Sequence, residues 1–291
     1  MPAIETSALT KRYGSTTAVD QLDLSVPDGT VYGFLGPNGA GKTTIFNMIT
    51  GIYAPTDGEI FFQGQRIAHP PLTWGKRLTA PTWWMSWLPI PAVKQRWNGL
   101  RKLRPHEITE RGIARTFQTV RLFNNLTVLE NAMSGPHHRT KAGVAGAILR
   151  PPSQVREEQY IVDEARRNLT FMGLEEYENE LAKNLPYGHQ RRLEIARALA
   201  TDPTLIILDE PAAGLNEQES IELMGLIEEV RDSGITVLLI EHDMKVVMGI
   251  CERIIVVDYG KKIAEGTPGE IQSNPRVIEA YLGEEEEEEE V

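Results

Sequence analysis

Several short stretches have the residue types and spacing for phosphate chemistry. Gly36-Pro37-Asn38-Gly39-Ala40-Gly41-Lys42-Thr43-Thr44 fits the phosphate-loop pattern G-x-x-x-x-G-K-S/T. Glycines there let successive backbone N–H groups turn inward around phosphate oxygens, which a Cβ would hinder. A helix beginning at the end of the loop adds partial positive charge at the same point. In such a loop Lys42 reaches the β- and γ-phosphates, and the Thr43 hydroxyl ligates Mg²⁺. The competing reading is a glycine-rich turn with a chance lysine.

A second group is Asp209-Glu210, at the end of the apolar run Thr204 to Leu208. Two carboxylates closing a buried strand are costly unless they have work or partners. With the phosphate loop upstream, Asp209 is read as holding Mg²⁺, directly or through water. Glu210 is read as polarising an attacking water. The alternative is a pair of exposed strand-end acids. A third group is Leu185-Pro186-Tyr187-Gly188-His189-Gln190, which leads into a helix over Arg191 to Ala200. Pro186 and Gly188 fall just before or at the helix start, where backbone donors are free to hold an anion. Three single residues complete the set. His242 follows the run Ile235 to Ile240 and comes near the γ-phosphate if the buried strands are neighbours in a parallel sheet; a lone histidine at a strand end is more often structural. Gln118 ends a strand over Ile113 to Phe117 and is unremarkable by itself. Tyr13 either stacks on adenine or closes a hairpin, and the residues leave both open.

The elements that must position these groups have their own periodicities. Val31 to Leu35 reads as a buried strand before the loop, and Ile45, Met48 and Ile49 lie on one face of a helix after it. Ile4 to Thr10 and Thr17 to Val26 alternate apolar and polar residues, as half-buried antiparallel strands do; another strand spans Glu59 to Gln63. From about Thr127 to Leu181 the pattern is mostly helical and is broken at Pro151-Pro152. Ile254 to Val257 and Lys261 to Glu265 form a hairpin around Tyr259-Gly260. Pro268 to Leu282 reads as a closing helix capped at Gly283.

The 291 residues suffice for a large buried core. No apolar run has the length of a membrane span, and Met1 to Gly14 has no signal-peptide core. The single cysteine, Cys251, fits a reducing compartment. Charge is uneven. Much of the net −11 comes from the seven glutamates Glu284 to Glu290. No acidic residue occurs from Ile60 to His106. Pro70 to Pro105 holds all five tryptophans, Trp74, Trp83, Trp84, Trp87 and Trp97, among Lys94, Arg96, Arg101, Lys102 and Arg104. Tryptophans beside cations suit a membrane interface, so 72–104 is expected to contact an anionic membrane surface. A patch packed on another protein is the alternative.

Gly36 to Thr44, Gln118, Leu185 to Gln190, Leu205 to Glu210, Gly214-Leu215-Asn216 and His242 fall in the order and spacing of an ATP-binding cassette (ABC) ATPase. The chain resembles that family, and within it the LivG-type subunits of branched-chain amino acid importers. The narrower likeness rests on Gly112 to Gln118, Arg121-Leu122-Phe123, Leu126 to Asn131, Arg191 to Ala198, Asp209 to Asn216, Ile240 to Ile250, Asn274-Pro275 and Ala280 to Gly283. The resemblance implies an α/β P-loop NTPase core with an antiparallel β subdomain and a helical subdomain, using ATP and Mg²⁺. It implies one cassette over 1–283: 1–69 with the β subdomain and phosphate loop, 70–105 a Trp-rich insertion, 106–124 around Gln118, 125–184 helical, 185–267 the rest of the core, and 268–283 a C-terminal helix, followed by an acidic disordered tail, 284–291.

The same resemblance implies residue roles. Tyr13 stacks adenine. Gly36, Pro37, Asn38, Gly39, Ala40, Gly41, Lys42, Thr43 and Thr44 hold the phosphates. Thr43, Gln118 and Asp209 serve Mg²⁺. Glu210 is the general base, Gln118 reports nucleotide state and His242 senses the γ-phosphate. Leu185, Pro186, Tyr187, Gly188 and His189 act in trans on the ATP of a second ATPase subunit, a paralogue or another copy. Two permease subunits and, indirectly, a solute-binding protein complete the assembly, at the cytoplasmic face of the inner (plasma) membrane. One departure stands out: the family's usual signature is L-S-G-G-Q, and Pro186 replaces its serine, with neither hydroxyl nor backbone N–H. This bears on the rate at the partner's site rather than on nucleotide binding here. Alternatives are an importer of another small solute such as urea or amides, a catalytically weak regulatory cassette, and a soluble cassette acting on DNA or ribosomes. The last needs sustained heptads or tandem cassettes, and neither is present, so no nucleic-acid partner is expected.

Overall fold

The computed structural model describes residues 1–70, 103–136 and 152–281. Strand β3 (Val31–Leu35) is buried along its whole length. Alternate residues of a strand point to opposite faces, so a continuous apolar run needs cover on both sides. Val31 and Leu35 enter one hydrophobic core, while Tyr32 and Phe34 enter a second. The same division splits β7 (Leu205–Asp209), β8 (Thr236–Ile240) and β9 (Arg253–Asp258). Ile206, Leu208, Val237, Leu239, Ile254 and Val256 face the first core. Leu205, Ile207, Leu238, Ile240, Ile255 and Val257 face the second.

With β6 (Ile113–Arg115) and β10 (Lys261–Gly266) these strands form a six-stranded sheet in the order β10-β9-β3-β8-β7-β6. All neighbours are parallel except β10, which turns back antiparallel on β9. The second core is closed by α1 (Lys42–Ile49) and by an antiparallel sheet in the order β2-β1-β4-β5. Its strands are β1 (Ile4–Tyr13), β2 (Thr16–Val26), β4 (Asp57–Phe62) and β5 (Gln65–Ala68). The first core is closed by α3 (Val128–Met133), α4 (Pro152–Phe171), α5 (Tyr187–Leu199), α6 (Glu217–Asp232) and α7 (Met244–Ile250). Helix α7 packs so closely on β3 that a Cβ at Gly33 would lie 2.8 Å from Val247 Cγ1 and 2.9 Å from Cys251 Sγ. Burial pushes the Cys251 thiol up to about 12, so it behaves as a small apolar group there.

Several boundaries differ from those read in the sequence. Strand β1 continues through Tyr13, and β6 stops at Arg115, which leaves Thr116-Phe117-Gln118 beyond the last ladder pair. Helix α5 begins at Tyr187, four residues before the apolar periodicity becomes clear. The closing segment is two helices, α8 (Pro268–Gln272) and α9 (275–281), instead of one over Pro268 to Leu282. Proline has no N–H to donate and disfavours helical backbone at the residue before it, so Pro275 ends one helix and starts the next. Asn274 Oδ1 then accepts from Arg276 N at 3.0 Å. At the other side of the Trp-rich stretch, Leu103 already belongs to the second core, and Pro105 opens the short helix α2 (Pro105–Thr109). The tryptophans themselves, Gly283 and the glutamate run lie outside the described residues.

Candidate nucleotide site

The register of the parallel strands puts the chemistry at one edge of the sheet. Phe34 pairs with Ile240, and Ile240 with Asp209. The residues that follow these three therefore leave the sheet side by side: Gly36 after β3, Glu241-His242 after β8 and Glu210 after β7. The segment after β6 carries Gln118 to the same edge. Carboxyl ends of parallel strands are where ligands bind in open α/β sheets.

The loop from Gly36 to Gly41 needs its glycines. A Cβ at Gly36 would meet Val257 O at 2.1 Å, and Gly41, at φ +97°, would meet Ala18 O at 2.4 Å. The β9–β10 turn braces the loop from outside, with Gly260 N donating to Ala40 O at 2.9 Å. Lys42 Nζ donates to the carbonyls of Gly36 and Pro37, so the ammonium already sits over the loop. Thr43 is exposed and Thr44 partly so. Asn38 and Gly39 reach solvent beside a cavity of about 600 Å³, lined also by Tyr259 and Arg276.

Asp209 and Glu210 differ sharply. Asp209 Oδ2 accepts from Arg115 Nη2 at 2.8 Å, and the two side chains are 12% and 7% exposed. Arg115 Nη1 also donates to Asn47 Oδ1 at 2.8 Å, which joins β7 to α1. Glu210 has a left-handed backbone, φ +47°, uncommon for a residue with a Cβ and costing of order 1–3 kcal/mol. Gln118 Nε2 donates to Glu210 Oε2 at 2.9 Å, and His242 Nδ1 lies 3.7 Å from the same oxygen. Glu241 is buried; burial pushes its carboxyl above the usual range, and Ala212 N donates to Oε1 at 2.9 Å. The geometry thus gathers Lys42, Asp209, Glu210, Gln118 and His242. Tyr13 sits on the antiparallel sheet, half-exposed, edge-on to Tyr53 at 6.1 Å.

A glycine cradle with an ammonium above it, next to paired strand-end carboxylates, is a nucleotide site. A family model described as ABC transporter matches residues 19–213. This chain belongs to that family of ATP-binding cassettes. The cassette is 42% identical over 284 residues to the high-affinity branched-chain amino acid transport ATP-binding protein LivG of Escherichia coli (strain K12), covering 97% of this chain and 98% of the relative. It is 40% identical over 284 residues to BraF of Pseudomonas aeruginosa, of the same description, with the same coverage. A second family model, for branched-chain amino acid ATP-binding cassette transporters, matches residues 261–287. Among solved structures it is similar to the ADP conformation of an ATP-binding cassette of an ABC transporter, with TM-score 0.75 and 28% identity, covering 97% of this chain and 99% of the other. The cassette is therefore a nucleotide-binding ATPase subunit with a P-loop α/β fold. No helix among the described residues is long and apolar enough to cross a membrane.

The signature segment starts α5. Pro186 is its N-cap, at φ −52° and ψ 152°, and no side chain caps the helix. Pro186 and Tyr187 are exposed, whereas Leu185 and Gly188 are buried and His189 is partly so. The His189 ring packs on Tyr177 at 4.9 Å, and burial, then Arg192, hold its pKa below the ordinary value. Sequence reading gave no role to Arg115, Arg191 or Glu241. Each lies in a stretch that carries the family likeness, but its contact is with a residue distant in the chain, which the stretch does not reveal.

Proposed function

We propose that the cassette hydrolyses ATP to energise an importer of branched-chain amino acids, working with two permease subunits and a second cassette at the cytoplasmic membrane face. Support for the cargo comes from the relatives' descriptions and from the match at the C-terminal end. The observation that carries the catalytic part is the convergence of Lys42, Gln118, Glu210 and His242 at the ends of neighbouring parallel strands.

In this reading the loop N–H groups and Lys42 hold the phosphates, and Tyr13 stacks the adenine. Thr43, Gln118 and Asp209 are the residues that would hold Mg²⁺. The fit is chemical: Arg115 engages Asp209 through Oδ2 alone, so a second carboxylate oxygen remains, and the Thr43 hydroxyl is exposed. Mg²⁺ supplies charge neutralisation on the phosphates. Glu210 takes the proton of the attacking water, Gln118 orients that carboxylate, and His242 stands where the transferred phosphoryl group develops charge. The uncapped first turn of α5 offers its N–H groups to the nucleotide of the second cassette. Exposed Phe123 and Leu126, just after Gln118, form an apolar surface for a permease.

Glu210→Gln keeps shape and hydrogen bonding but removes the base. The assembled transporter carrying it should bind ATP with unchanged affinity and lose turnover by roughly 10²–10⁴-fold. Turnover at the unmodified rate would remove Glu210 from the mechanism.

A further inference from the structure

We infer that Arg191 is a positioning residue that ties the signature helix of this chain to its own catalytic carboxylate through Gln118. The inference rests on the roles of Gln118 and Glu210 proposed above. Phe117 and Gln118 lie beyond the end of β6, where no strand ladder holds their backbone. Arg191, on α5 and 2% exposed, supplies what the sheet does not. Its Nη1 donates to Phe117 O at 3.0 Å and its Nη2 to Gln118 O at 2.5 Å. Two successive carbonyls gripped by one planar fork leave that backbone little freedom. The side chain of Gln118 then reaches Glu210 Oε2 at 2.9 Å.

The other end of the path is the signature itself. The Arg191 guanidinium stacks 5.5 Å from the centre of the Tyr187 ring. That ring in turn lies against Gly214, where a Cβ would come within 3.1 Å of Tyr187 Cε1. Tyr187, Arg191, Gln118 and Glu210 thus form an unbroken line of contacts. It runs from the segment proposed to meet the second cassette's nucleotide to the carboxylate proposed to activate the water that attacks this chain's own. Burying the guanidinium has a cost that the structure meets incompletely. Glu194 Oε2 lies 3.4 Å from Nη1, burial pushes that carboxyl above its ordinary range, and Arg191 Nε has no partner. A purely apolar helix face would avoid this cost, but could not hold Gln118.

A double-mutant cycle in the assembled transporter tests the assignment. Arg191→Met keeps the bulk and removes the donors. It should lower kcat roughly tenfold to a hundredfold, as misplacement of a catalytic group does, and leave KM for ATP nearly unchanged. In a Gln118→Ala background it should add almost nothing, because both changes break the same link. Arg191→Lys, a point charge without the fork, should recover part of the rate and carries the cycle if the methionine variant fails to fold. If Gln118→Ala is slow and the second change multiplies that loss in full, Arg191 acts only structurally and the inference falls alone. A rise in KM in place of the fall in kcat overturns it too. If Gln118→Ala keeps the unmodified kcat, the catalytic reading of Gln118 fails first and takes the inference with it.

Discussion

Asp209 and Arg115 bury opposite charges at 2.8 Å where the proposed Mg²⁺ site would use the carboxylate. The pair also reaches Asn47 on α1, the helix that begins with Lys42, so one guanidinium holds the phosphate-loop helix and the strand-end acid in register. Buried pairs are costly to break, because the survivor keeps its charge in a poor solvent. Arg115→Met should therefore destabilise the folded cassette by about 3–5 kcal/mol, read by urea unfolding. Adding Mg²⁺ with ADP should restore more stability to the variant than to the unmodified chain, because the ion supplies the missing countercharge to Asp209. Equal gains in both would mean that Asp209 does not meet the metal ion. Glu210, one residue on, shows the opposite solution: a left-handed backbone, with Gln118 and His242 near its carboxylate.

At the scale of elements, the anion-binding role proposed for the signature rests on the first turn of α5. Proline at the N-cap satisfies none of the helix's free donors, but its φ of −52° is one that serine also adopts. Pro186→Ser should stabilise the cassette by about 1 kcal/mol in thermal unfolding, through a side-chain cap. Its hydroxyl also adds a donor toward the second cassette's nucleotide, so ATPase activity of the complex should hold or rise. A marked loss of activity would mean that the proline shapes this turn and that donor number does not limit the rate. The same residue type explains the split closing segment: Pro275 cannot continue the helix that Pro268 begins.

For the whole molecule, the proposed place at a membrane face calls for a surface that makes contact there. The sequence from 72 to 104 combines all five tryptophans with further apolar side chains and seven basic residues, and lacks any acid. Each basic residue close to an anionic surface contributes about 1 kcal/mol, weakened by salt. The full chain should therefore float with anionic vesicles but not with neutral ones, and release as salt rises. Replacing 72–104 by a short Gly/Ser linker should abolish flotation. Equal flotation of the shortened chain, or none by the intact one, would point to a protein partner for the tryptophans.

Local physics made much of this cassette legible in its sequence. Only glycine fits at Gly36 and Gly41, so the phosphate site shows as spacing. Strands covered on both faces show as unbroken apolar runs, and Val31 to Leu35, Leu205 to Leu208 and Val237 to Ile240 are such runs. Tertiary structure decided what those runs bring together. The order β3-β8-β7-β6 is not the order of the chain, so apart from the family likeness no spacing announces that Gly36, His242, Glu210 and Gln118 share an edge. The partners of Asp209 and Gln118 are farther still: Arg115 lies 94 residues from Asp209, and Arg191 lies 73 from Gln118. An arginine's sequence neighbours do not reveal which carboxylate or carbonyl will lose its water to it. That choice belongs to the packing of α5 and β6 against β7, where burial leaves each polar group only the partners the fold supplies.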